Sequence, residues 1–215
     1  MSVAEPWEKL SYSLSEYPFL QLVQKSLSVS SLTALSSNGP RWTRQTDQCS
    51  EWHRRFYSHF TEWRACYDQF INRRIAPWIG KPVYYQAVPT FRVHHPNNVA
   101  VGEFHTDAQY YHPSGEITFW LPLTPAYGTN SVWVEGDDLN FHPFVARPGE
   151  VVVFYAVSRQ HGNLINITGK TRVSFDFRCL PVDLLPDGSS ARSVHAGLRF
   201  IPGEYYHSEP AGILL

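Results

Sequence analysis

Gly102-Glu103-Phe104-His105-Thr106-Asp107-Ala108-Gln109 is the stretch round which the rest of the chain is read. In an extended strand alternate side chains share a face, so residues two apart point the same way. Taken as the end of a strand from Ala100 to Asp107, this stretch sends His105 and Asp107 to one side. Two later stretches complete the set: Gln160-His161-Gly162-Asn163 and Thr171-Arg172-Val173-Ser174-Phe175. His161 supplies a third ligand from a later strand. Two imidazoles and one carboxylate fill a triangular face of an octahedron and leave three positions open, the arrangement expected of a non-haem Fe(II) centre. Zinc accepts the same ligands, so the triad alone leaves the metal open.

Arg172 tips the choice. It follows His161 by eleven residues, and Ser174 lies on the same face of the same strand. A guanidinium fork holds a carboxylate through two bonds, and a nearby hydroxyl adds one more. A dicarboxylic 2-oxo acid can bridge such a site, chelating the iron at one end and meeting Arg172 and Ser174 at the other.

The set His105-x-Asp107, His161, Arg172-x-Ser174 resembles the Fe(II)/2-oxoglutarate-dependent dioxygenase superfamily. The run from about Arg92 to Arg178 is also similar to a small subgroup named after a streptomycin-biosynthesis protein. That likeness is carried by Gly115 to Leu123, Gly128 to Glu135, and His161 to Arg178. The superfamily match covers well under half of the chain, and the first eighty residues carry little of it. The resemblance implies a double-stranded β-helix, Fe(II) on His105, Asp107 and His161, 2-oxoglutarate as co-substrate and O2 as oxidant. It further implies decarboxylation to succinate and CO2, and a place in bacterial secondary metabolism or saccharide tailoring. In related halogenases Gly or Ala replaces the ligating carboxylate. Asp107 therefore implies hydroxylation, desaturation or ring closure.

Alternation on the last strand puts Arg172, Ser174, Asp176 and Arg178 on one face and Val173, Phe175 and Phe177 on the other. Buried charge is costly without partners, so the polar face is expected in a pocket and the apolar one against the N-terminal helices. Arg92 and His94 share a face in the same way. Asn130 and Tyr110 are candidates to bond the co-substrate carboxylates. Gln109, Trp120, Trp133, Asn163, Arg92 and Arg178 are candidates to meet substrate. His53, His59, His112, His142, His195 and His207 are scattered and read as surface or core residues.

The 215 residues suffice for one substantial core, so a single domain is expected. A formal net charge of -1 gives no nucleic-acid footprint. No apolar run approaches the ~20 residues of a membrane helix; the longest, Val151 to Val157, has strand length. The N-terminus lacks a basic region followed by an apolar one. The three cysteines, at 49, 66 and 179, show no metal-knuckle spacing. Together these fit free thiols in a cytoplasmic protein. The expected partner is a polar small molecule, such as an amino sugar, aminocyclitol or amino acid; the oligomeric state stays open.

Residues 7 to 36 show a partly helical apolar pattern and read as one or two short helices, before the breaker Asn38-Gly39-Pro40. From Cys49 to Ile79, aromatic and apolar residues recur at three- and four-residue steps, predicting a helix that braces the sheet. Asp47 is a candidate cap, and Pro77 a candidate end. From Val83 onward the pattern changes to about eight short strands with turn chemistry between them, as in a jelly roll. The divisions are 1–80 as helical support, 83–179 as the jelly-roll core and 180–215 as an irregular tail over one edge or the mouth. Two rival readings remain: a cupin-like metal enzyme with no need of Arg172 and Ser174, and a non-catalytic jelly-roll binding protein.

Overall fold

The computed structural model describes residues 6–35, 49–100, 103–186, 190–194 and 196–212. Its strands are β1 (Glu8–Ser11), β2 (Val83–Tyr85), β3 (Thr90–His94), β4 (Ile117–Pro122), β5 (Trp133–Glu135), β6 (Phe141–Pro143), β7 (Glu150–Phe154), β8 (His161–Gly162) and β9 (Arg172–Pro181). Helices α1 (Phe19–Leu27), α2 (Glu51–His59), α3 (Arg64–Phe70) and α4 (Ala76–Ile79) precede the sheets, apart from β1.

Two antiparallel sheets make a jelly roll. The larger runs β1-β7-β4-β9-β2, with β3 also paired to β9, and the smaller runs β6-β5-β8. β9 is the spine. One of its edges meets β4 from Ser174 to Cys179; the other meets β3 from Arg172 to Asp176 and β2 from Cys179 to Pro181.

Side chains alternate across this sheet as the sequence predicts. Val173, Phe175, Phe177 and Cys179 join Phe91, Phe119, Leu121 and Val153 in one apolar core with the helices. Phe175 packs edge-on against Phe19, with ring centroids 5.3 Å apart, and Phe56 stacks on Phe91 at 4.2 Å. A second core lies between the sheets, where Trp120, Val152 and Phe154 meet Val134 and Phe144. The polar alternates of β9 face that inner side.

Four sequence expectations change. Residues 8–11 form a strand, because pairing with Val151–Val153 and Glu150 on β7 overrides the weak helical pattern. Pro77 does not end the long helical run. It sits in the first turn of α4, where its missing N–H costs nothing, and Gly80 closes the helix at φ 75°. Between α2 and α4 the run passes through a 3₁₀ turn at Phe60–Glu62 and a π turn at Ile71–Ile75. Among the short strands expected after Val83, β5 and β6 are each three residues long, and a separate bridge at Ala146 follows β6. Among the described residues of the strand expected from Ala100 to Asp107, the pairing is a bridge between His105 and His161. Asp107 begins a 3₁₀ turn at Asp107–Tyr110, and the Thr106 N–H is bonded by Gln109 Oε1 at 3.1 Å. Asn38-Gly39-Pro40, Asp47 and His195 lie outside the described residues.

The irregular tail lies along the edge of β2 through bridges at Val83–Ala211 and Gln86–Tyr206. No helix among the described residues is long and apolar enough to cross a membrane.

Phe175 is fully buried where the helices meet β9. Phe175→Ala is expected to cost about 3–5 kcal/mol of stability, the usual loss for a buried aromatic. Chemical denaturation checks this, and a loss below about 1 kcal/mol would show that the two layers do not depend on each other there.

Candidate metal centre

His105 and His161 stand opposite each other, each bonding the other's backbone N–H to its carbonyl at 3.0 and 2.9 Å. The Asp107 N–H bonds Ala156 O at 2.8 Å, which fixes where the 3₁₀ turn starts. These contacts bring the Asp107 Oδ1 to 3.6 Å from His161 Nε2 and 3.9 Å from His105 Nε2. One donor atom from each residue lies within 4.8 Å of the others.

Both imidazoles are set up to ligate. His105 Nδ1 donates to Glu103 O at 2.8 Å, and His161 Nδ1 to Arg159 O at 3.1 Å. The single proton of a neutral imidazole therefore sits on Nδ1 and leaves the Nε2 lone pair bare. Burial, with His161 beside it, pushes His105 down to about 4; burial likewise lowers His161.

The carboxylate is oriented from behind. Arg178 donates to Asp107 Oδ2 through Nε at 3.1 Å and Nη2 at 2.9 Å, and its Nη1 bonds Asp176. Burial opposes a charge on Asp107, but Arg178 outweighs it and holds the carboxyl well below the usual range. Oδ1 is left toward the two histidines. Two neutral nitrogens and one anionic oxygen, converging with their lone pairs exposed, fit a divalent transition metal.

Two cavities adjoin the triad. The inner one, of about 60 Å³, runs between the sheets past Trp120, Asn163 and Asp176 to Arg172. The outer one, of about 450 Å³, opens between Tyr57 of α2, residues 86–92, the 105–112 loop and the tail at 193–205. Arg92, His105 and Arg178 line both.

Arg172 is fully buried. Its Nε donates to Asn130 O at 3.0 Å, its Nη1 to Ser174 Oγ at 2.9 Å, and its Nη2 reaches His94 Nδ1 at 3.4 Å. It also lies over Trp120, with 5.7 Å from Cζ to the ring centre. His94 Nε2 lies 2.8 Å from Asn98 O, and its Nδ1 lies 3.2 Å from the same Asn130 carbonyl that Arg172 bonds.

The chain is 37% identical over 200 residues to the streptomycin biosynthesis protein StrG of Streptomyces griseus, an alignment covering 93% of this chain and 97% of that protein. The chain belongs to the StrG family. No family model matches it. Solved structures share its fold at low identity. SnoK, a non-heme alpha ketoglutarate dependent carbocyclase from nogalamycin biosynthesis, superposes with a TM-score of 0.53 at 13% identity, over 96% of this chain and 92% of its own. EctD from S. alaskensis with bound Fe superposes with a TM-score of 0.55 at 14% identity, over 84% and 74%.

The structure of this StrG-family chain separates the sequence candidates. Trp120, Asn163, Arg92 and Arg178 line the inner cavity, the last two also the outer one. Tyr110 lines the outer cavity and not the inner one that holds Arg172, with its ring 4.9 Å from that of His105. Asn130 reaches Arg172 through its carbonyl, while its side chain bonds Tyr127 N and Pro125 O. Gln109 is taken up in the turn at Thr106, and Trp133 Nε1 bonds Gly128 O. Neither of those two residues lines a cavity described above. Sequence reading passed over His112, Glu116, Thr118 and Tyr205 as wall residues or their supports. Only the strand alternation of Thr118 with Trp120 offered a signal.

His94 and His53 are each pushed down to about 3, first by burial and then by a neighbouring guanidinium, Arg172 or Arg92. A histidine held below its ordinary value takes up its proton more readily when unfolded. Its contribution to stability is whole above about pH 6.5 and is lost as pH falls toward 3. Urea midpoints are expected to drop between about pH 6.5 and 4.5, before most carboxylates titrate, and to drop less in His94→Gln. Flat midpoints across that window would mean that these imidazoles are not held neutral.

Proposed function

We propose that this chain is an Fe(II)- and 2-oxoglutarate-dependent oxygenase that oxidises a polar small molecule in secondary-metabolite or saccharide tailoring. One observation carries the reading: a converging His105–Asp107–His161 set stands where two cavities meet, and the inner cavity ends on a buried, oriented arginine. The smaller cavity suits a compact diacid. The larger falls in the range of small-molecule sites. The likeness to the streptomycin biosynthesis protein StrG and to SnoK from nogalamycin biosynthesis supports the biosynthetic setting, and that to iron-bound EctD supports the iron.

In this reading His105, Asp107 and His161 hold the metal. Arg172 and Ser174 hold the far carboxylate of 2-oxoglutarate, and His94, Trp120 and the Asn130 carbonyl fix the guanidinium for that task. Iron(II) with a chelated 2-oxo acid supplies the activation of O2 for substrate oxidation. The chain's own part is to place the substrate's C–H bond from the outer cavity and to keep water from the metal. Asp107 keeps the third protein ligand in place, which points to hydroxylation, desaturation or ring closure and not to halogenation. The 1–80 support, the 83–179 core and the 180–215 tail form one domain in this reading.

A cupin-like enzyme without 2-oxoglutarate would leave the arrangement around Arg172 without a purpose. Anaerobic addition of Fe(II) and 2-oxoglutarate is expected to give a weak visible charge-transfer band near ~500 nm. A properly folded protein with no band would overturn the reading. Arg172→Ala is expected to weaken 2-oxoglutarate binding by roughly 2–3 kcal/mol, about 30- to 150-fold in Kd. Titration of that band measures it, and unchanged affinity would remove Arg172 from the role.

A further inference from the structure

Beside the metal set, the outer cavity has a second polar device, built from the loop after Asp107 and from the tail. His112 lines this cavity, and its Nδ1 lies 2.6 Å from Glu116 Oε2. Glu116 is fully buried, and its other oxygen accepts the Tyr206 hydroxyl. Both carboxylate oxygens are therefore engaged, one from each side. The imidazole ring is held between this loop and the tail, with centroids 4.6 Å from Phe200 and 5.6 Å from Tyr205.

The tautomer follows from these contacts. A carboxylate accepts and cannot donate, so a neutral His112 carries its proton on Nδ1. Nε2 is then a bare acceptor, and it has no hydrogen-bond partner among the described residues. A fully buried carboxylate is costly. Tyr206 alone gives a structural reason for Glu116, by tying the tail to the loop. It gives none for an imidazole that is oriented with its acceptor end in the cavity wall. Nδ1 is turned to the carboxylate, so Nε2 is the ring atom left for a ligand, and a positively charged donor gains most from an acceptor backed by that carboxylate.

We propose that the Glu116–His112 pair anchors the substrate by accepting a hydrogen bond from a hydroxyl or, preferentially, a protonated amine. The proposal rests on the outer cavity being the substrate's. It names the substrate class as small molecules bearing such a donor, with an apolar face to lie against the tyrosines of the wall. His112 is a positioning residue here and takes no part in holding the metal.

Three ring probes that differ in one group test it: cyclohexylamine, cyclohexanol and cyclohexanecarboxylate. Full-length protein loaded with Zn(II), which is diamagnetic, and carrying ¹⁵N-labelled histidine is titrated with each at about pH 8, where an ordinary imidazole is neutral. The amine is expected to bind about tenfold more tightly than the carboxylate, with the alcohol between, and both donors should move the His112 Nε2 resonance. His112→Phe should remove this ranking. Glu116→Gln should bring the amine down to the level of the alcohol. The wild-type titration stands even where a variant fails to fold. A carboxylate that binds as well as the amine, an unmoved Nε2 resonance, or an unchanged ranking in folded His112→Phe would each overturn the proposal. The 2-oxoglutarate band is measured separately: its absence sinks the oxygenase reading, while the probe ranking decides this one.

Discussion

A strand whose alternate side chains are apolar on one side and charged or hydroxylic on the other admits few environments, and β9 is such a strand from Arg172 to Cys179. Its apolar set is buried only if a second layer covers it, and the helices before β2 provide that layer. Its polar set must then lie between the sheets, where water is scarce and each charge needs a partner. Arg178 meets Asp107 and Asp176; Arg172 meets Ser174, His94 and the Asn130 carbonyl. The architecture and the chemistry thus share one cause, the two-residue period of this strand.

The charges between the sheets are arranged for direction as much as for neutrality. Arg178 occupies one oxygen of Asp107 and so leaves the other toward the histidines. The backbone carbonyls of Glu103 and Arg159 do the same for the two imidazoles by holding Nδ1. A centre whose ligands are already aimed loses less side-chain freedom when an ion arrives.

Much of this was legible in the residues. His105, Asp107 and His161 could be grouped by type and order, and the two faces of β9 could be read from alternation alone. The long aromatic helix was legible because its pattern repeats over many turns. Other features depended on partners far away in sequence. Glu8–Ser11 becomes a strand only because β7 offers an edge. The extended path through Asp107 gives way to a 3₁₀ turn, yet the carboxylate still reaches the histidines, so the three side chains come together by a different local path from the one expected. Tyr110, Gln109 and Trp133 carry suitable groups, but single-sequence reading cannot tell a side chain spent on its own turn from one facing a cavity. His112 was passed over for the converse reason: the rings that hold it, Phe200 and Tyr205, and the Tyr206 that bonds its partner Glu116, all lie in the distant tail.

The tail bears on how the protein matures. Every metal ligand precedes β9 in the chain, whereas part of the outer wall comes from residues after it, fastened by Tyr206 on Glu116 and by the bridge from Ala211 to Val83. During synthesis from the N-terminus, the ion-binding half leaves the ribosome first. A nascent chain can therefore meet its ion while the chamber beside it still lacks a side, and it cannot shelter a guest until the final segment has docked.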